Sequence, residues 1–347
     1  ESSFSAPPPM GRSEPSHGRG IEMKNVGTGT RVLTPFLPLL KCIECGASGQ
    51  LMEGNRGLSC PQCGRDYELH EGVLVVRRGY KLRDALRRKP RGFPHELAER
   101  PGLVGKAGLR LVRRLGVTQE KAMRMRRQQF HFLTTNVLPK SLTKTIGLAL
   151  EIGAGSFAQA AELATVSELV VATEYDVAAR SGSRPMAVPQ RVMPICADAR
   201  ELPVRDAAAD LLFSSNVLEH VPDPRDAPRE GKRCLAKDGT MVHVVPTTAC
   251  RIRTALTRPL ASLFRFDPRL SALWQRTFAV HGAAAKSYVE ELRLFSARRW
   301  RSLLRECGLA ILDEGPILGF WSANIDVGWT AAPLFWLGRS EHYFVVA

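Results

Sequence analysis

The chain has 347 residues, of which 44% are hydrophobic, and its formal net charge is +15. This apolar share is enough to bury a core, but no uninterrupted apolar run reaches the roughly 18 residues that a membrane-spanning helix needs. The first twenty residues also lack the apolar stretch of a secretory signal. We therefore expect no spanning helix and a cytoplasmic location.

Residues 1–35 are rich in proline, serine and glycine without a periodic apolar pattern, which predicts disorder. A compact unit, residues 36–78, follows and carries two C-x2-C pairs separated by 14 residues: Cys42, Cys45, Cys60 and Cys63. Two such pairs can place four thiolates tetrahedrally around zinc and leave no open coordination position. The spacing therefore predicts a zinc ribbon with a structural metal ion.

A basic helical linker is predicted over residues 79–140. Between Arg77 and Lys140 the sequence has 18 lysines and arginines against 4 acids, so nearly all of the net charge lies here. Such a block can follow the phosphate backbone of RNA or the head groups of anionic lipids. A solvated linker without a partner explains the same composition, and the sequence leaves the choice open.

The remaining part, residues 141–347, alternates strand-like and helical runs. Five apolar runs come first, at TIGLALEI, SELVVATEY, RVMPICADA, ADLLFSSNV and GTMVHVVPT, and two more, AILDEGPIL and EHYFVVA, close the chain. Strands that alternate with helical crossovers predict an α/β fold with a doubly wound, Rossmann-like, seven-stranded sheet. Basic and aromatic residues at 248–292 interrupt the alternation, and we predict that they form an inserted lid over the position of the acceptor.

The first of these strands runs into ALEIGAGSFAQA, where Gly153, Gly155 and Ala158 complete the pattern G-x-G-x-x-A. That spacing is typical of a loop that brings its backbone against a dinucleotide pyrophosphate. Glu151 opposes this interpretation, because it places a negative charge near the expected phosphates. A carboxylate here suits a cationic ligand such as S-adenosylmethionine, which carries a sulfonium and an ammonium group.

Polar side chains also follow the next three strands. Glu174 ends the second strand and is placed to accept hydrogen bonds from both ribose hydroxyls of a nucleoside. Asp198 follows the third strand, where it can accept a hydrogen bond from the amine of adenine. Asn216 lies at the end of the fourth strand, before the turn that contains Glu219 and His220. Because the carboxyl ends of parallel strands meet in one crevice, these groups are predicted to converge.

The ordered series LEIGAG, VVATEYD, CADARELP, NVLEHVPD and LAKDGTMVHVVPT resembles the class I S-adenosylmethionine-dependent methyltransferases, in particular the subgroup around the ubiquinone-biosynthesis methyltransferases. The resemblance covers residues 130–347 and implies S-adenosylmethionine as the cofactor. It implies contacts of the acid-and-glycine loop with the methionine portion, of Glu174 with ribose and of Asp198 with adenine. The residues predicted to bind the cofactor are Glu151, Gly153, Ala154, Gly155, Glu174, Tyr175, Asp198, Ala199 and Asn216.

Two positions depart from that family. Where it often has a third glycine, this chain has Phe157, which either narrows the methionine pocket or packs the first helix. Some related O-methyltransferases carry an additional glutamate three residues before the Glu–His pair and use all three side chains on a divalent ion. Here that position is Asn216, so a magnesium-dependent mechanism is not expected.

The cysteine-bearing unit also resembles known proteins. LKCIECGASGQLMEGNRGLSCPQCGRDYELHEGVLVV is similar to the zinc-ribbon activator subunit of tRNA and protein methyltransferases, and to ribbons fused ahead of some bacterial methyltransferases. The resemblance implies that the ribbon stabilises the catalytic domain or holds substrate. Four further cysteines are scattered and are expected to be ordinary buried thiols: Cys196, Cys234, Cys250 and Cys307.

His220 is the predicted catalytic residue. The segment after the fourth strand borders the transferred methyl group in this fold, and an imidazole can act as a general base. Methyl transfer can also proceed by alignment of the acceptor alone, without a base. In that case His220 would pack or cap the next helix, and Glu219 would hold a backbone amide. His281, in FAVHG of the insertion, is a second candidate.

The leading hypothesis is a methyltransferase that acts on a small molecule, a glycan or a lipid. The alternative is an rRNA or tRNA methyltransferase that holds RNA with its ribbon and basic segment. SSNVLEH stands after the fourth strand where RNA enzymes have motifs such as N-P-P-Y, which opposes the alternative. A protein that binds S-adenosylmethionine without turnover is the third class. The sequence identifies neither the acceptor nor the oligomeric state.

Overall fold

The computed structural model describes nine parts of the chain: residues 33–54, 56–70, 72–80, 119–138, 145–155, 157–177, 188–264, 278–318 and 339–347. Three predicted features therefore lie partly or largely outside the described residues. They are the N-terminal segment up to residue 32, most of the basic linker at 81–118, and residues 265–277 of the insertion.

The described residues contain eleven strands in one mixed sheet. The strands are β1 (Met52–Gly54), β2 (Gly57–Ser59), β3 (Asp66–His70), β4 (Val73–Val75), β5 (Ile146–Ile152), β6 (Ser167–Glu174), β7 (Val192–Cys196), β8 (Ala209–Ser215), β9 (Leu235–Pro246), β10 (Ile311–Leu318) and β11 (Arg339–Val346). Their order across the sheet is β1-β2-β3-β4-β7-β6-β5-β8-β9-β11-β10.

Helices lie between the strands. The described α-helices are α1 (Gln119–Phe132), α2 (Ala158–Leu163), α3 (Asp226–Cys234), α4 (Thr248–Phe264), α5 (Tyr288–Leu294) and α6 (Ala297–Glu306). A π-helical turn, Leu133–Val137, continues α1, and short 3-10 turns occur at Leu37–Leu39 and Leu218–His220. None of the described helices is long and apolar enough to cross a membrane.

The central strands form the predicted doubly wound α/β arrangement. Strands β7, β6, β5, β8 and β9 are parallel to one another, and β11 runs antiparallel to β9 and β10. Their long apolar runs fit a sheet that is covered on both faces. Because the strand order reverses between β5 and β8, the carboxyl ends of these two strands open a crevice in which such sheets bind ligands.

The sheet of the described residues has eleven strands rather than seven, because the cysteine-bearing unit adds four short strands to the seven, β5–β11, of residues 141–347. Strand β4 pairs in parallel with β7, and Leu74 lies opposite Ile195. The backbone amides of Val76 and Arg77 both donate to the carbonyl oxygen of Cys196, at 3.0 and 2.9 Å. The ribbon is thus joined to the central sheet through main-chain hydrogen bonds.

Two apolar cores cover the sheet. One contains residues of the ribbon, such as Tyr67 and Leu74, together with Ile195 and Trp300 from the rest of the molecule. The other includes Phe130 of α1, whose ring meets that of Phe213 edge-on at 5.7 Å between centroids. Helix α1 lies within the predicted linker 79–140, and it packs against the sheet beside β8.

Candidate functional site

The loop after β5 has a backbone that favours glycine. Gly153 and Gly155 have φ angles of +71° and +60°, in the left-handed region. A Cβ atom on Gly153 would lie 2.4 Å from Cγ2 of Val217, so the loop is packed directly against the segment that follows β8. The buried Ala154 fixes the loop from the other side, because its amide donates to the carbonyl oxygen of Thr173 at 2.8 Å.

Phe157 occupies the third glycine position with a left-handed backbone, at φ +60° and ψ +16°, as the N-cap of α2. Glycine adopts this conformation without strain, whereas a side chain with a Cβ atom is disfavoured by about 1–2 kcal/mol. The Phe157 side chain is partly buried and packs against the core that contains Phe130 and Phe213. It therefore packs the start of α2, one of the two roles expected for it.

Glu151 lies at the end of β5 and is 1% exposed. Its Oε2 atom is buried and has no hydrogen-bond partner among the described residues. Burial raises the pKa of the Glu151 carboxyl to about 8; the charge of Glu174 adds to this rise and that of Arg126 opposes it. A ligand that brings a cation or hydrogen-bond donors to this oxygen would satisfy it.

Glu174 ends β6 and holds the glycine loop. Its Oε2 atom accepts a hydrogen bond from the amide of Gly155 at 2.7 Å, and its Oε1 atom accepts one from the amide of Asp176 at 3.3 Å. Each carboxylate oxygen can accept more than one hydrogen bond, which binding of the ribose hydroxyls predicted here would require.

The segment after β4 lies beside this acid. The Arg77 guanidinium stacks on the exposed ring of Tyr175, with its carbon 3.4 Å from the ring centroid, and its Nη1 atom donates to the Tyr175 carbonyl oxygen at 2.8 Å. The Tyr80 hydroxyl donates to Oδ1 of Asp176 at 3.0 Å. The ribbon's C-terminal end therefore forms one wall beside the predicted nucleoside position.

Asp198, the predicted adenine contact, is paired with Arg200. The Arg200 guanidinium donates to both carboxylate oxygens, at 3.0 and 2.8 Å. Burial would raise the pKa of Asp198, but this pair outweighs burial and lowers it. Ala199, between the two, is partly buried against the core. An adenine amine would therefore share the Asp198 oxygens with Arg200.

Asn216 has a left-handed backbone, at φ +54°, and its side chain contacts the protein interior. Its Nδ2 atom donates to Oε1 of Glu341 at 2.5 Å, and Nε2 of Gln129 donates to the other oxygen of that carboxylate. Burial raises the pKa of the Glu341 carboxyl to about 7, although these hydrogen bonds oppose the rise. Sequence reasoning missed Glu341 and Gln129, which lie far from Asn216 in the chain.

The turn after β8 carries Glu219 and His220. The Glu219 side chain is 1% exposed, whereas that of His220 is 47% exposed, and 4.0 Å separates Oε1 of Glu219 from Nε2 of His220. His281 lies across from them, with its ring centroid 4.9 Å from that of His220. The structure thus brings the two predicted catalytic candidates together, although they lie in different predicted segments.

The four cysteines of the ribbon fit zinc. The Sγ atoms of Cys42 and Cys63 are 3.6 Å apart, as are those of Cys45 and Cys60. Tetrahedral zinc with bonds of about 2.3 Å to sulfur requires edges of about 3.8 Å, so the thiols already stand near the required spacing. The Tyr67 hydroxyl lies 3.0 Å from Sγ of Cys42 and accepts a hydrogen bond from the Ile43 amide, which fixes its position.

The comparisons with known proteins agree on one type of domain. Residues 150–243 match the sequence family described as a methyltransferase domain. Two strains of Mycobacterium leprae each have an uncharacterized methyltransferase that is 33% identical to this chain over 95 residues. That match covers 27% of this chain and 35% of the relative, so the chain spans about a third of the length of these relatives.

Solved structures give weak overall similarity. The complex between the Haloferax volcanii Trm112 methyltransferase activator and a methyltransferase has a TM-score of 0.43 and 14% identity over 65% of this chain and 93% of that chain. A methyltransferase of Bacillus halodurans has a TM-score of 0.40 and 13% identity over 63% of this chain and 97% of that chain. The strand order and the matched segment together define an α/β, methyltransferase-like fold.

Proposed function

We propose that this protein transfers a methyl group from S-adenosylmethionine. The observation that carries the proposal is the buried carboxylate of Glu151, which has an oxygen without a partner among the described residues. It lies beside the glycine loop, in a segment that matches a methyltransferase domain. A cationic amino-acid group would stabilise the ionised form of this carboxyl, whereas a pyrophosphate would oppose its ionisation.

Each part of the crevice has a role in this proposal. Glu151 binds the ammonium group, the backbone of Gly153 and Gly155 approaches the methionine portion, and Glu174 accepts the ribose hydroxyls. Asp198 accepts a hydrogen bond from the adenine amine and shares its carboxylate oxygens with Arg200. When bound, the cofactor supplies an electrophilic methyl group; the protein aligns the acceptor with that group and removes the proton that the acceptor loses.

His220 is the residue proposed to act on the acceptor. Its half-exposed imidazole lies in the turn after β8, beside the Val217 side chain that contacts the glycine loop. A neutral imidazole there can take the acceptor's proton. This base role belongs to the protein without a metal ion at His220, because a nitrogen bound to a metal ion no longer accepts a proton.

We propose a small-molecule, glycan or lipid acceptor. The part of the insertion that the structure describes exposes the apolar side chains of Leu256, Phe278 and Val289, and the first and last of these are more than half exposed. Apolar surface of this kind suits a lipid or another acceptor with an apolar portion better than it suits the phosphate backbone of RNA.

The four ribbon cysteines are proposed to hold a structural zinc ion. This closed set of thiolates has no position for substrate, so the ion would stabilise the ribbon and take no part in methyl transfer. We also propose the domain boundaries predicted from the sequence, with a ribbon at 36–78, a basic helical linker at 79–140 and a methyltransferase domain at 141–347.

Calorimetry with S-adenosylmethionine tests the cofactor assignment. The wild-type protein should bind it, and Glu151→Gln and Glu174→Gln should each weaken binding by roughly tenfold or more, because each removes a charge-assisted contact. Glu168→Gln, on the exposed side of β6, is the matched control and should bind like the wild type. Undetectable binding, or equal affinity in all variants, would refute the assignment.

A labelled-methyl assay then tests turnover. Extracts of metabolites, lipids and RNA, each incubated with the protein and the labelled cofactor, identify the acceptor class by where the label accumulates. Label in the lipid or metabolite fraction supports the proposal. Label in RNA alone supports the alternative, and binding without any transfer supports a sensor.

A further inference from the structure

Glu219, His220 and His281 form a second cluster of residues that can hold a metal ion. One ligand atom from each of the three lies within 4.8 Å of the others. The two imidazoles are exposed, and the carboxylate lies beneath them in the protein. The related O-methyltransferases that hold a divalent ion with a Glu–His pair complete the set with a glutamate three residues earlier. Here that position is Asn216, and the third candidate ligand is instead His281, which lies beyond the matched residues 150–243.

The buried carboxylate gives independent support for a ligand here. Oε2 of Glu219 is buried and has no hydrogen-bond partner among the described residues. Nε2 of His220 is 4.0 Å from Oε1 of Glu219, which is beyond hydrogen-bond distance. A cation between the three groups would satisfy Oε2 of Glu219.

The backbone holds His281 beside this carboxylate. The amide of Ala284 donates to the Glu219 carbonyl oxygen at 3.1 Å. A Cβ atom on Gly282 would lie 1.9 Å from that same oxygen, so the close approach of the two segments requires glycine at this position. The segment that carries His281 is therefore packed directly onto the turn that carries Glu219 and His220.

A buried ion pair fixes the other side of His281. Its amide donates to Oε1 of Glu291 at 2.6 Å, and the Arg251 guanidinium pairs with the second oxygen of that carboxylate. The side chains of Arg251 and Glu291 are only 3% and 1% exposed. Arg251 also donates to the carbonyl oxygen of Ala279, two residues before His281. These contacts fix the backbone that carries His281.

Two imidazole nitrogens and one carboxylate oxygen are a ligand set for a divalent transition metal ion. Ligand atoms around such an ion are about 3.0–3.5 Å apart, given bonds of about 2.1 Å, so modest side-chain rotations would close the present spacing. Three protein ligands leave at least one coordination position open. The ribbon's four thiolates leave none, so the two clusters favour different uses of a metal.

We propose that Glu219, His220 and His281 bind a divalent transition metal ion of the zinc type, with an open coordination position on the exposed side. Binding of the ion does not depend on methyl transfer. Its use to hold an oxygen of the acceptor does rest on the function proposed above. Failure of that function would leave metal binding intact, so the two can be told apart.

Cobalt titration tests the site. Protein whose ribbon is loaded with zinc is titrated with Co²⁺, which reports nitrogen and oxygen ligands through visible absorption and thiolates through charge-transfer bands. We expect one further equivalent of Co²⁺ without thiolate bands, and displacement of that ion by Zn²⁺. Cobalt that appears only with thiolate bands has entered the ribbon and would overturn the proposal.

Variants identify the ligands. His281→Ala and Glu219→Gln should each lower Co²⁺ affinity at least tenfold, since even outer-sphere changes have effects of about that size. His131→Ala, which removes an exposed histidine of α1, is the matched control and should bind like the wild type. If Glu219→Gln does not fold, the exposed His281→Ala decides alone. Unchanged affinity in His281→Ala would overturn the proposal.

Discussion

The ribbon's cysteine cluster and the Glu219 cluster are two ways to gather metal-ligating side chains. All four thiols come from one short segment, Cys42 to Cys63, and Tyr67 beneath them fixes their spacing. The second cluster joins His220 to His281, from separate segments, and two of its three side chains are exposed. A closed set of ligands favours a structural ion, whereas an open set at a crevice favours exchange with a ligand.

Disruption of the closed cluster should have the largest effect. We expect Cys60→Ser, or removal of zinc, to unfold the ribbon, because structural zinc contributes about 10–16 kcal/mol in small metal domains. His281→Ala should leave the fold intact. Hydrogen exchange measures both: protection should be lost across the ribbon strands in the first variant and retained everywhere in the second. Full protection in zinc-free protein would remove the distinction between the clusters.

The close approach at Gly282 provides a second test. Gly282→Ala places a Cβ atom against the Glu219 backbone, so it should displace His281 and lower Co²⁺ affinity at the open cluster at least tenfold. The control is Gly64→Ala beside the closed cluster, where the new Cβ meets nothing within 4 Å and only the φ of +72° is strained. This control should cost roughly 1–2 kcal/mol of stability and leave metal affinity unchanged. Equal Co²⁺ affinity in both variants would show that the packing at Gly282 is irrelevant.

The ribbon and the crevice around Glu151 also differ in the pKa values of their titratable groups. Burial opposes ionisation of Cys42, but the Tyr67 hydroxyl and backbone hydrogen bonds lower the pKa of this thiol to about 6. In the crevice, burial dominates and raises the pKa of Glu151 to about 8. The pKa values of the neighbouring thiols Cys45 and Cys63 are raised, so in the ribbon the hydrogen bonds favour ionisation at Cys42 alone. The crevice retains a proton on Glu151 until a cationic ligand arrives.

Cofactor binding should therefore depend on pH. Below about pH 8 the cofactor must displace the proton of Glu151 when it binds. The affinity for the cofactor should therefore rise with increasing pH, by up to about tenfold per pH unit, and level off above pH 8. Without ligand, the same raised pKa makes the contribution of Glu151 to stability fall as the pH rises from about 4.5 to about 8. Calorimetry across this range measures the first slope. A wild-type slope equal to that of Glu151→Gln would contradict it.

Loss of the contact between the ribbon and the crevice should have the smallest effect on cofactor binding. Arg77→Ala removes the guanidinium stacked on Tyr175 and should weaken cofactor binding about two- to fivefold, with zinc content unchanged. Arg65→Ala is the control, because Arg65 lies 6.0 Å above the Tyr67 ring, inside the ribbon. A similar loss in both variants would indicate a general effect of ribbon charge.

Features that lie close together in the chain could be predicted from sequence. The four cysteines assemble as their spacing indicates, and Glu151 and Glu174 flank one glycine loop because each ends a neighbouring parallel strand. The pairing of β4 with β7 could not be predicted from the sequence. A strand of three residues such as β4 gives no clear periodicity, and its partner lies far along the chain. The predicted sheet therefore did not include the four strands of the ribbon.

Contacts between distant segments account for the rest. Asn216 bonds to Glu341, and His220 meets His281, yet neither pair has a spacing that a motif could reveal. Arg200, two residues after Asp198, donates hydrogen bonds to the Asp198 carboxylate. The assignment of Asp198 from its motif did not consider this local contact. Residue type thus identified many of the chemical groups, while long-range packing decided which groups lie together.

The junction between the ribbon and β7 also bears on solubility. All five residues of β7 are buried, and β4 covers the edge of this strand with main-chain hydrogen bonds. A shortened chain that begins after residue 80 would present a bare, apolar parallel edge, the kind of surface on which strands of other molecules assemble. Such a chain should self-associate, so the ribbon also protects the central sheet from aggregation.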